Sequence, residues 1–416
     1  MRFQRTTKKF IQNELYKLCA GTDTNQILGE YSHKSTWQGQ NIIKRLIHAC
    51  LERTSLEDIC SSTEGPSADT VHRRISELEM SQIEKLVNSW LLEIVSRLKF
   101  HHKSKITLAI DLYAQPFYGD PSYDWVIGFK RKKGTNYAIH YLVASIATQN
   151  IRCPVAVRLM TSRLKKHKVA VISQILDDLF TWLPIKRILF DRGFCQEDIL
   201  QLMEDRGLEY VIAAIRHGEV KQATREIWAC VEELAGQAGV DINDRFTLGQ
   251  WVRKCGLDTF RVEHVSTGRG KKQVPLVAAF VRQRTYHKKY HKRGIYCLFT
   301  YLTNTKLSSR TVIKLYKRRW IVETEIRCIN DFRPVTNSIR PQLRLLFYGL
   351  AMVFDALWIV FSTLISRLNN SSELIITSET RFDIRQYDEL QCIARFFLRF
   401  IRTEIFPFLS FQGGDA

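Results

Sequence analysis

The feature that most constrains the fold is a change of hydrophobic periodicity at Lys105. Up to residue 104 the apolar positions have helical spacing and strand signals are few. From Lys105 onwards, short apolar runs rich in Val, Ile and Tyr alternate with segments of helical spacing. This pattern predicts an α/β fold whose sheet has mixed strand directions, preceded by a helical N-terminal domain.

The periodicity divides the chain into five segments. These are a helical segment over 1–104, the first part of an α/β core over 105–215, a β-rich basic insertion over 216–300, the rest of the core over 301–368 and a helical segment over 369–416. Within the first segment, a Gly-Pro-Ser break followed by a helix from about Ala68 is typical of a helix-turn-helix, which would let Arg73 and Arg74 face a DNA groove. Simple packing of the two helices explains the same pattern.

Positive charge is concentrated in one stretch of the chain. The sequence has 62 Lys and Arg against 42 Asp and Glu, and the 59 residues from His264 to Val322 hold 15 of the basic residues and no acidic one. Basic side chains alternate there with tyrosines that offer stacking surfaces for bases. The basic side chains of this run are Arg282, Arg284, Lys288, Lys289, Lys292 and Arg293. This stretch favours binding to a polyanion, with nucleic acid ahead of an anionic membrane surface, over a merely solvated basic face.

Cysteine usage and one apolar stretch bear on localisation. The ten cysteines form no CxxC pair, which is typical of a reducing cytoplasm and argues against a zinc ribbon. Leu345–Ile365 has the ~20 apolar residues that a membrane helix needs, but Asp355 near its centre would be costly in lipid. We therefore expect a buried helix in a cytoplasmic protein with no membrane association, in which a polar partner satisfies Asp355; a membrane anchor is the alternative.

Two carboxylates end predicted buried strands. Asp111 closes LAID and Asp191 closes ILFD, which places both at the sheet edge where α/β proteins form ligand sites. A pair of hard carboxylate ligands suits Mg²⁺ or Mn²⁺ rather than zinc. A third acid, Glu323, follows Tyr316 and Arg319 at the spacing i, i+3, i+7, so one predicted helical face carries a carboxylate, a phenol and a guanidinium suited to phosphate.

These residues resemble the DDE transposases of bacterial and archaeal insertion sequences. Asp111, Asp191 and Glu323, with the Tyr-x2-Arg-x3-Glu spacing at 316–323, are most similar to the branch whose signature is Tyr-Arg-Glu-Lys and which has a β-rich insertion before the Glu. Within that branch, the sequence resembles haloarchaeal-type insertion-sequence transposases. The resemblance extends over roughly residues 105–365.

The resemblance implies a fold, a cofactor and partners. It implies a ribonuclease-H-like catalytic core in which the three carboxylates hold two Mg²⁺ or Mn²⁺ ions, cleave the ends of an insertion sequence and transfer its strands into target DNA. Tyr316 and Arg319 would hold phosphates near the cut, and Trp320 would contact a displaced base unless it packs in the core. The implied partners are double-stranded DNA, as terminal inverted repeats and as target, and a second copy of the chain in a homodimeric DNA complex at the cytoplasmic nucleoid.

Two departures and two further alternatives accompany this interpretation. Asn330 stands where the signature has its final Lys, so the phosphate contact of that Lys lacks its charge. The formal charge of +20 is unlike the acidic proteins of extreme halophiles. A ribonuclease-H-like nuclease or resolvase that stops at hydrolysis is the main alternative, and a DNA-binding regulator without chemistry is another.

Overall fold

The computed structural model describes most of the chain between residues 17 and 369. The described residues are 17, 21–29, 37–98, 100, 105–132, 134–148, 151–267, 272–283 and 294–369. They divide into two compact units, the first drawn from 1–104, 111–183 and 321–416 and the second from 105–110 and 184–320. Each unit is assembled from segments that are distant in sequence. The domain boundaries expected from periodicity stay predictions, and the helix expected beyond Asn369 lies outside the described residues.

The first unit begins with helices, as its apolar spacing predicts. Within the described residues these are α1 (Thr22–Gly29), α2 (Gly39–Glu52), α3 (Leu56–Ser62), α4 (Ala68–Ser76) and α5 (Met80–Ser96). The Ser67 side chain caps α4 by accepting a hydrogen bond from the backbone N–H of Thr70 at 3.3 Å. Helices α3 and α4 are the two that the Gly-Pro-Ser break was predicted to separate.

The strands of the first unit form an antiparallel group. The chain runs through β1 (Ile106–Pro116), β2 (Val126–Lys132), β3 (Thr135–Ala147) and β4 (Arg152–Met160), followed by α6 (Ser162–Lys166) and α7 (Lys168–Phe180). Strand β3 pairs antiparallel with both β2 and β4. Strand β2 was not predicted, because Gly128 interrupts its three apolar residues and three basic residues follow them.

Side chains of α5 hydrogen-bond to the backbone of β4. Asn88 accepts from the N–H of Val157 at 2.9 Å and donates to the carbonyl of the same residue at 3.3 Å. Glu84 accepts from the N–H of Leu159 at 2.8 Å and from the Arg158 guanidinium at 2.6 Å. These contacts satisfy β4 backbone groups that would otherwise be open to pairing with another strand.

The apolar stretch near the C-terminal end forms a buried helix, as predicted. This helix is α13 (Pro341–Asn369), and it packs against α5 and β4 within the first unit. The window 341–360 is long and apolar enough to cross a membrane by composition, and 94% of it is buried inside the protein. Gly349 allows the close approach to α5, because a Cβ at this position would collide with the Val87 side chain.

The second unit contains a mixed sheet, as the alternating pattern predicts. Its strands are β5 (Ile185–Phe190), β6 (Glu209–Ala213), β7 (Thr259–Ser266), β8 (Gln273–Arg282) and β9 (Tyr296–Thr303), together with residues 106–110 of β1. Strands β1, β5 and β6 are parallel neighbours, and β9, β8 and β7 continue the sheet in antiparallel pairs. A short 3-10 turn (Arg192–Phe194) and α8 (Glu197–Asp205) connect β5 to β6.

The insertion expected to be β-rich over 216–300 is helical in its first half. Helices α9 (Gly218–Gln237) and α10 (Arg245–Lys254) precede β7, β8 and β9. They share a hydrophobic core with these strands that includes Val231, Val252 and Phe280. The prediction of short β segments throughout was wrong, because Val220, Ala223, Ile227, Val231 and Ala235 recur at the three- and four-residue spacing of a helix.

The helix predicted to run from about Ser308 through Glu323 is interrupted. Helix α11 (Ser309–Arg318) ends at Arg318, and the single turn residue Arg319 separates it from α12 (Trp320–Phe332). The N–H of Arg319 donates to the carbonyl of Tyr316, three residues earlier, at 3.0 Å. This is the hydrogen bond of a 3-10 turn, not of an α-helix. The prediction of one continuous helix was wrong here, and the i, i+3, i+7 argument for a single helical face does not hold as stated.

Candidate active site

The register of two parallel strands places the residues that precede the predicted aspartates side by side. In the second unit, Ile110 of β1 pairs with Phe190 of β5. Asp111 and Asp191 are the next residues along these two strands. Asp191 directly follows the last residue of β5, at the carboxyl end where α/β sheets form ligand sites. Strand β1 continues past Asp111 to Pro116, so the prediction that Asp111 ends its strand was wrong. The last buried apolar residues before the two aspartates, Ile110 and Phe190, are therefore partners in the sheet.

Asp191 is half-exposed and faces a buried arginine. Its side chain is 45% exposed, and its Oδ1 lies 3.8 Å from Nη2 of Arg319. The backbone carbonyl of Asp191 accepts from the N–H of Phe194 at 3.0 Å, which closes the 3-10 turn after β5. Asp191 therefore stands at the start of a hydrogen-bonded turn after β5, and its carboxylate lies beside the guanidinium of Arg319.

Two tyrosines of the second unit support this arginine. The Arg319 guanidinium lies 5.6 Å from the centre of the Tyr316 ring, and that ring lies 4.5 Å from the ring of Tyr301. Arg319 and Tyr316 are both buried, at 5% and 7% exposure. Burial, with Tyr316 adding to the effect, raises the pKa of Tyr301. Tyr316 therefore holds Arg319 in place, and its own ring offers little surface to a ligand.

Trp320 lies at the protein surface. Its side chain is 60% exposed, which excludes the alternative role in core packing. Its neighbour in sequence is the buried Arg319, so an exposed indole and a desolvated guanidinium are consecutive residues of the second unit. An exposed indole can stack on a base.

The first unit contributes the other two predicted acids. Asp111 is half-buried, and its Oδ1 accepts a hydrogen bond from the N–H of Leu112 at 2.8 Å. Glu323 is half-buried on α12, whereas Glu325, two residues further on, is fully buried. Of these two glutamates, Glu323 is the one that a ligand can reach from solvent.

Asn330 links β1 to α12 within the first unit. Its Oδ1 accepts from the Tyr113 hydroxyl at 2.9 Å, and its Nδ2 donates to the carbonyl of Ile326 at 2.9 Å. Both ends of the amide are therefore engaged in internal hydrogen bonds. A cavity of about 640 Å³ opens beside this pair and is lined by two arginines, Arg333 and Arg344.

The donor chemistry of the predicted ligands fits a divalent metal. In the part of the chain that the structure describes, no three His, Cys, Asp or Glu side chains are already grouped to hold a metal ion. Asp111, Asp191 and Glu323 nevertheless each expose part of the side chain, and all three offer carboxylate oxygens. Such oxygens are the ligands that Mg²⁺ and Mn²⁺ prefer.

A second cavity, of about 690 Å³, lies in the second unit and is rich in arginine. Its charged lining residues are Arg192, Arg216, Arg225, Arg245 and one acid, Glu232. Trp228 forms part of the wall, with the Arg245 guanidinium 3.7 Å from its ring centre. Burial, and next the charge of Arg192, lower the pKa of Arg216. Sequence analysis missed these arginines because they are dispersed along the chain and form no charge run.

The predicted basic run is described only at its first residue. Arg282 donates from Nε to the carbonyl of Gly294 at 3.2 Å and lies 5.1 Å from the Phe246 ring centre. The remaining members, from Arg284 to Arg293, lie outside the described residues. The prediction that this run binds DNA stays a prediction.

The two arginines of the predicted helix-turn-helix differ in exposure. The Arg73 side chain is 68% exposed, with Nη1 4.0 Å from Glu77, whereas Arg74 is buried at 5% exposure. Arg73 can reach a partner from this position. Burial leaves Arg74 little surface for a DNA contact, and DNA binding by either residue stays a prediction.

The sequence matches the transposase DDE domain family over residues 102–352, more than half of the chain. The chain belongs to this family. It is accordingly a DDE transposase, an enzyme of DNA transposition.

No curated protein sequence matches the chain. Among solved structures, the Drosophila P element transposase strand transfer complex is similar at 11% identity and a TM-score of 0.24, covering 95% of this chain and 99% of that one. Similarity at this level supports no conclusion about the fold or the site.

Proposed function

We propose that the chain cleaves DNA at the ends of an insertion sequence and joins those ends to target DNA, with Asp111, Asp191 and Glu323 as the catalytic carboxylates. The observation that carries this proposal is the β1–β5 register, in which the residues preceding the two aspartates are paired. Membership of the transposase DDE domain family agrees with it.

The carboxylates are suited to holding divalent metal ions. When bound, two Mg²⁺ or Mn²⁺ ions would stabilise the charge that develops on the attacking and leaving oxygens of a phosphodiester. Phosphoryl transfer depends mainly on positioning and charge stabilisation, so one site can serve both hydrolysis at an element end and attack by the freed 3′-hydroxyl.

Arg319 and its neighbours supply phosphate binding and orientation. The Arg319 guanidinium faces Asp191 at 3.8 Å and is held by Tyr316, so it keeps the carboxylate oriented and offers charge to a nearby phosphate. The exposed Trp320 adds a stacking surface for a displaced base. Tyr316 acts through Arg319 in this proposal.

Finer assignments belong to the same proposal. The parallel β1–β5–β6 strands followed by antiparallel strands support a ribonuclease-H-like core. The spacing of Tyr316, Arg319 and Glu323 supports the Tyr-Arg-Glu-Lys branch. We further propose that the protein acts at the nucleoid without a membrane and binds paired element ends as a homodimer, which light scattering of the DNA complex would test.

The test is a strand-transfer assay on labelled duplexes that carry the DNA flanking the gene. Asp111→Asn and Asp191→Asn are expected to lose cleavage and joining while still binding the duplex. The matched control is Asp198→Asn, an exposed acid of α8 in the same unit as Asp191.

Each outcome of that assay separates the candidate functions. Cleavage and joining by the wild type support transposition. Cleavage without joining at any metal concentration would favour the nuclease or resolvase, and an Asp111→Asn variant that behaves like the wild type in every activity would favour a regulator.

DNA binding by the basic run is tested separately. Neutralising Arg282, Arg284, Lys288, Lys289, Lys292 and Arg293 together should weaken duplex binding. Each phosphate that the protein no longer neutralises should reduce the slope of log affinity against log salt by about 0.9. An unchanged slope in a salt titration would show that the run is only a solvated face.

A further inference from the structure

The cavity beside Asn330 carries positive charge with no acid to balance it. Its lining residues all belong to the first unit and include Arg333 and Arg344 but no Asp or Glu. Both arginines are at least half-buried. Burial lowers the pKa of Arg344, and the neighbouring charge of Arg333 lowers it further although Tyr141 acts in the opposite direction. Two like charges are thus held together in a partly desolvated space.

The guanidinium of Arg333 is incompletely satisfied. Its Nη1 is shielded from solvent and has no hydrogen-bond partner among the described residues. Arg344 is fixed in place, since its Nε donates to the carbonyl of Ser338 and its guanidinium lies 5.2 Å from the Phe117 ring centre. Burying a charged donor without a partner is costly unless a ligand offsets the cost. The ligand that would do so is an anion.

The cavity is lined by residues of β1 and α12, the two elements of the first unit that carry the proposed catalytic acids Asp111 and Glu323. Tyr113 and Gln115 line it and follow Asp111 at two-residue steps along β1, so they share the strand face of Asp111. On α12, Asn330 follows Glu323 by seven residues and therefore shares its helical face. An anion in this cavity would lie along the same surface as those acids.

The size and rim of the cavity indicate the form of the anion. A volume of about 640 Å³ lies in the range of pockets that hold a single small ligand, so the cavity accepts a nucleotide-sized unit and excludes a duplex. Tyr118 at the rim is 68% exposed and Ile339 is 54% exposed, which offers a base an aromatic and an apolar surface.

We propose that this cavity binds the phosphate backbone of an unpaired DNA strand, with Arg333 and Arg344 as positioning residues that hold the strand along the surface of Asp111 and Glu323. The proposal deepens the proposed function and rests on it only for the identity of the strand as DNA. Positive charge at this place comes from Arg333 and Arg344, since Asn330 has none.

The test compares two fluorescent probes by anisotropy over a range of salt concentrations, without divalent metal. One probe is a blunt duplex, and the other is the same duplex with a 3′ single-stranded extension. The wild type should bind the extended probe more tightly. Arg333→Gln and Arg344→Gln should each remove most of that advantage and reduce the salt slope on the extended probe by about 0.7 for each phosphate that is no longer neutralised.

Conservative and control variants separate binding from folding. Arg333→Lys keeps the charge and should recover most of the affinity for the extended probe. Arg340→Gln removes an exposed arginine from the same connection between α12 and α13, outside the cavity, and should behave as wild type. If the arginine variants do not show a thermal unfolding transition, the exposed rim variant Tyr118→Ala tests the proposal instead. Its affinity for the extended probe should fall by about five-fold or more, and its affinity for the blunt duplex should not change.

The measurement needs no turnover, so it is independent of the catalytic proposal. A wild type that never cleaves DNA would defeat the proposed function while the binding data still decide about the cavity. Equal affinity of wild type, Arg333→Gln and Arg340→Gln for the extended probe would overturn the cavity proposal, as would equal loss on both probes.

Discussion

The first unit holds buried arginines in two opposite electrostatic environments. Arg152 is enclosed with two fully buried acids, Glu325 and Asp355, which are 0% and 1% exposed. Burial alone would lower the pKa of Arg152, but Cys328, Asp355 and Glu325 together raise it above its usual value. We call it the closed cluster because its opposite charges come from buried residues of the same chain. Nη1 of Arg152 and both carboxylate oxygens of Glu325 have no hydrogen-bond partner among the described residues.

Arg333 and Arg344 differ from that cluster in the charges around them. No acid lines their cavity, and the pKa of Arg344 is lowered by burial instead of being restored by a counter-charge. The cavity also opens to solvent beside the exposed Tyr118. Buried charge is therefore not by itself a sign of function. Balanced charge serves the fold, whereas unbalanced charge next to solvent points to an external ligand.

Removing the cation of the closed cluster should have the largest effect on stability. Arg152→Met leaves two buried carboxyls without their counter-charge, and we expect the free energy of unfolding to fall by about 3–5 kcal/mol. Urea titration at pH 8 measures it. Arg333→Gln, which removes a cation that no acid balances, should change stability by less than about 1 kcal/mol. Similar losses in both variants would contradict the distinction between the two environments.

The closed cluster should also make stability depend on pH. Burial raises the pKa of Glu325, and Asp355 raises it further; burial likewise raises the pKa of Asp355 against the opposing effect of Arg152. A carboxyl group whose pKa is higher in the folded than in the unfolded protein contributes its full stabilisation at a pH below its unfolded pKa of about 4. That stabilisation is lost as the pH rises through the folded pKa. We expect a loss of up to about 1.4 kcal/mol per pH unit for each proton involved.

The variant Asp355→Asn checks this expectation by removing one of the titrating groups. Thermal unfolding followed from pH 5 to pH 9 should show a smaller decline for the variant than for the wild type. A decline of the same size in both proteins would show that Asp355 does not titrate in this range.

Adding an acid to the cavity of Arg333 and Arg344 should reduce the electrostatic difference between this cavity and the closed cluster. Asn337 is exposed and lines the cavity, so Asn337→Asp places a carboxylate near the two arginines with almost no change of shape. Stability should rise by at most about 0.5 kcal/mol, and affinity for a single-stranded extension should fall by about five-fold. Anisotropy measures the second effect, and unchanged affinity would mean that no phosphate passes this residue.

The parts predicted from sequence depend on local pattern. An apolar run ending in an acid was sufficient to predict that β5 stops just before Asp191, and a long apolar segment was sufficient to predict a buried helix around Asp355. The same pattern was misleading at Asp111, because β1 continues past it to Pro116. Arg152, about 200 residues away in sequence, lowers the pKa of Asp355 against the effect of burial, and no local pattern reveals that proximity. A hydrogen-bonding partner for Asp355 stays a prediction, because its Oδ2 has none among the described residues.

The parts that sequence could not predict depend on long-range contacts. The tightened turn at Arg319 interrupts a segment of uniform helical periodicity, so its pattern gives no warning. Helix α9 has helical spacing of apolar residues in its own sequence, and only the core that it shares with β7–β9 depends on long-range contacts. Arg333 and Arg344 are ordinary basic residues in the sequence, and only the fold places them in one cavity with Tyr113.

The most direct test of the account compares two glutamates that are two residues apart on α12. Glu323 is half-exposed and proposed as catalytic, whereas Glu325 is fully buried in the closed cluster. Strand transfer with labelled flanking DNA in Mg²⁺ should be abolished by Glu323→Gln and retained by Glu325→Gln, which mimics the protonated carboxyl favoured by burial. Near wild-type strand transfer by Glu323→Gln would contradict the assignment of the catalytic carboxylates.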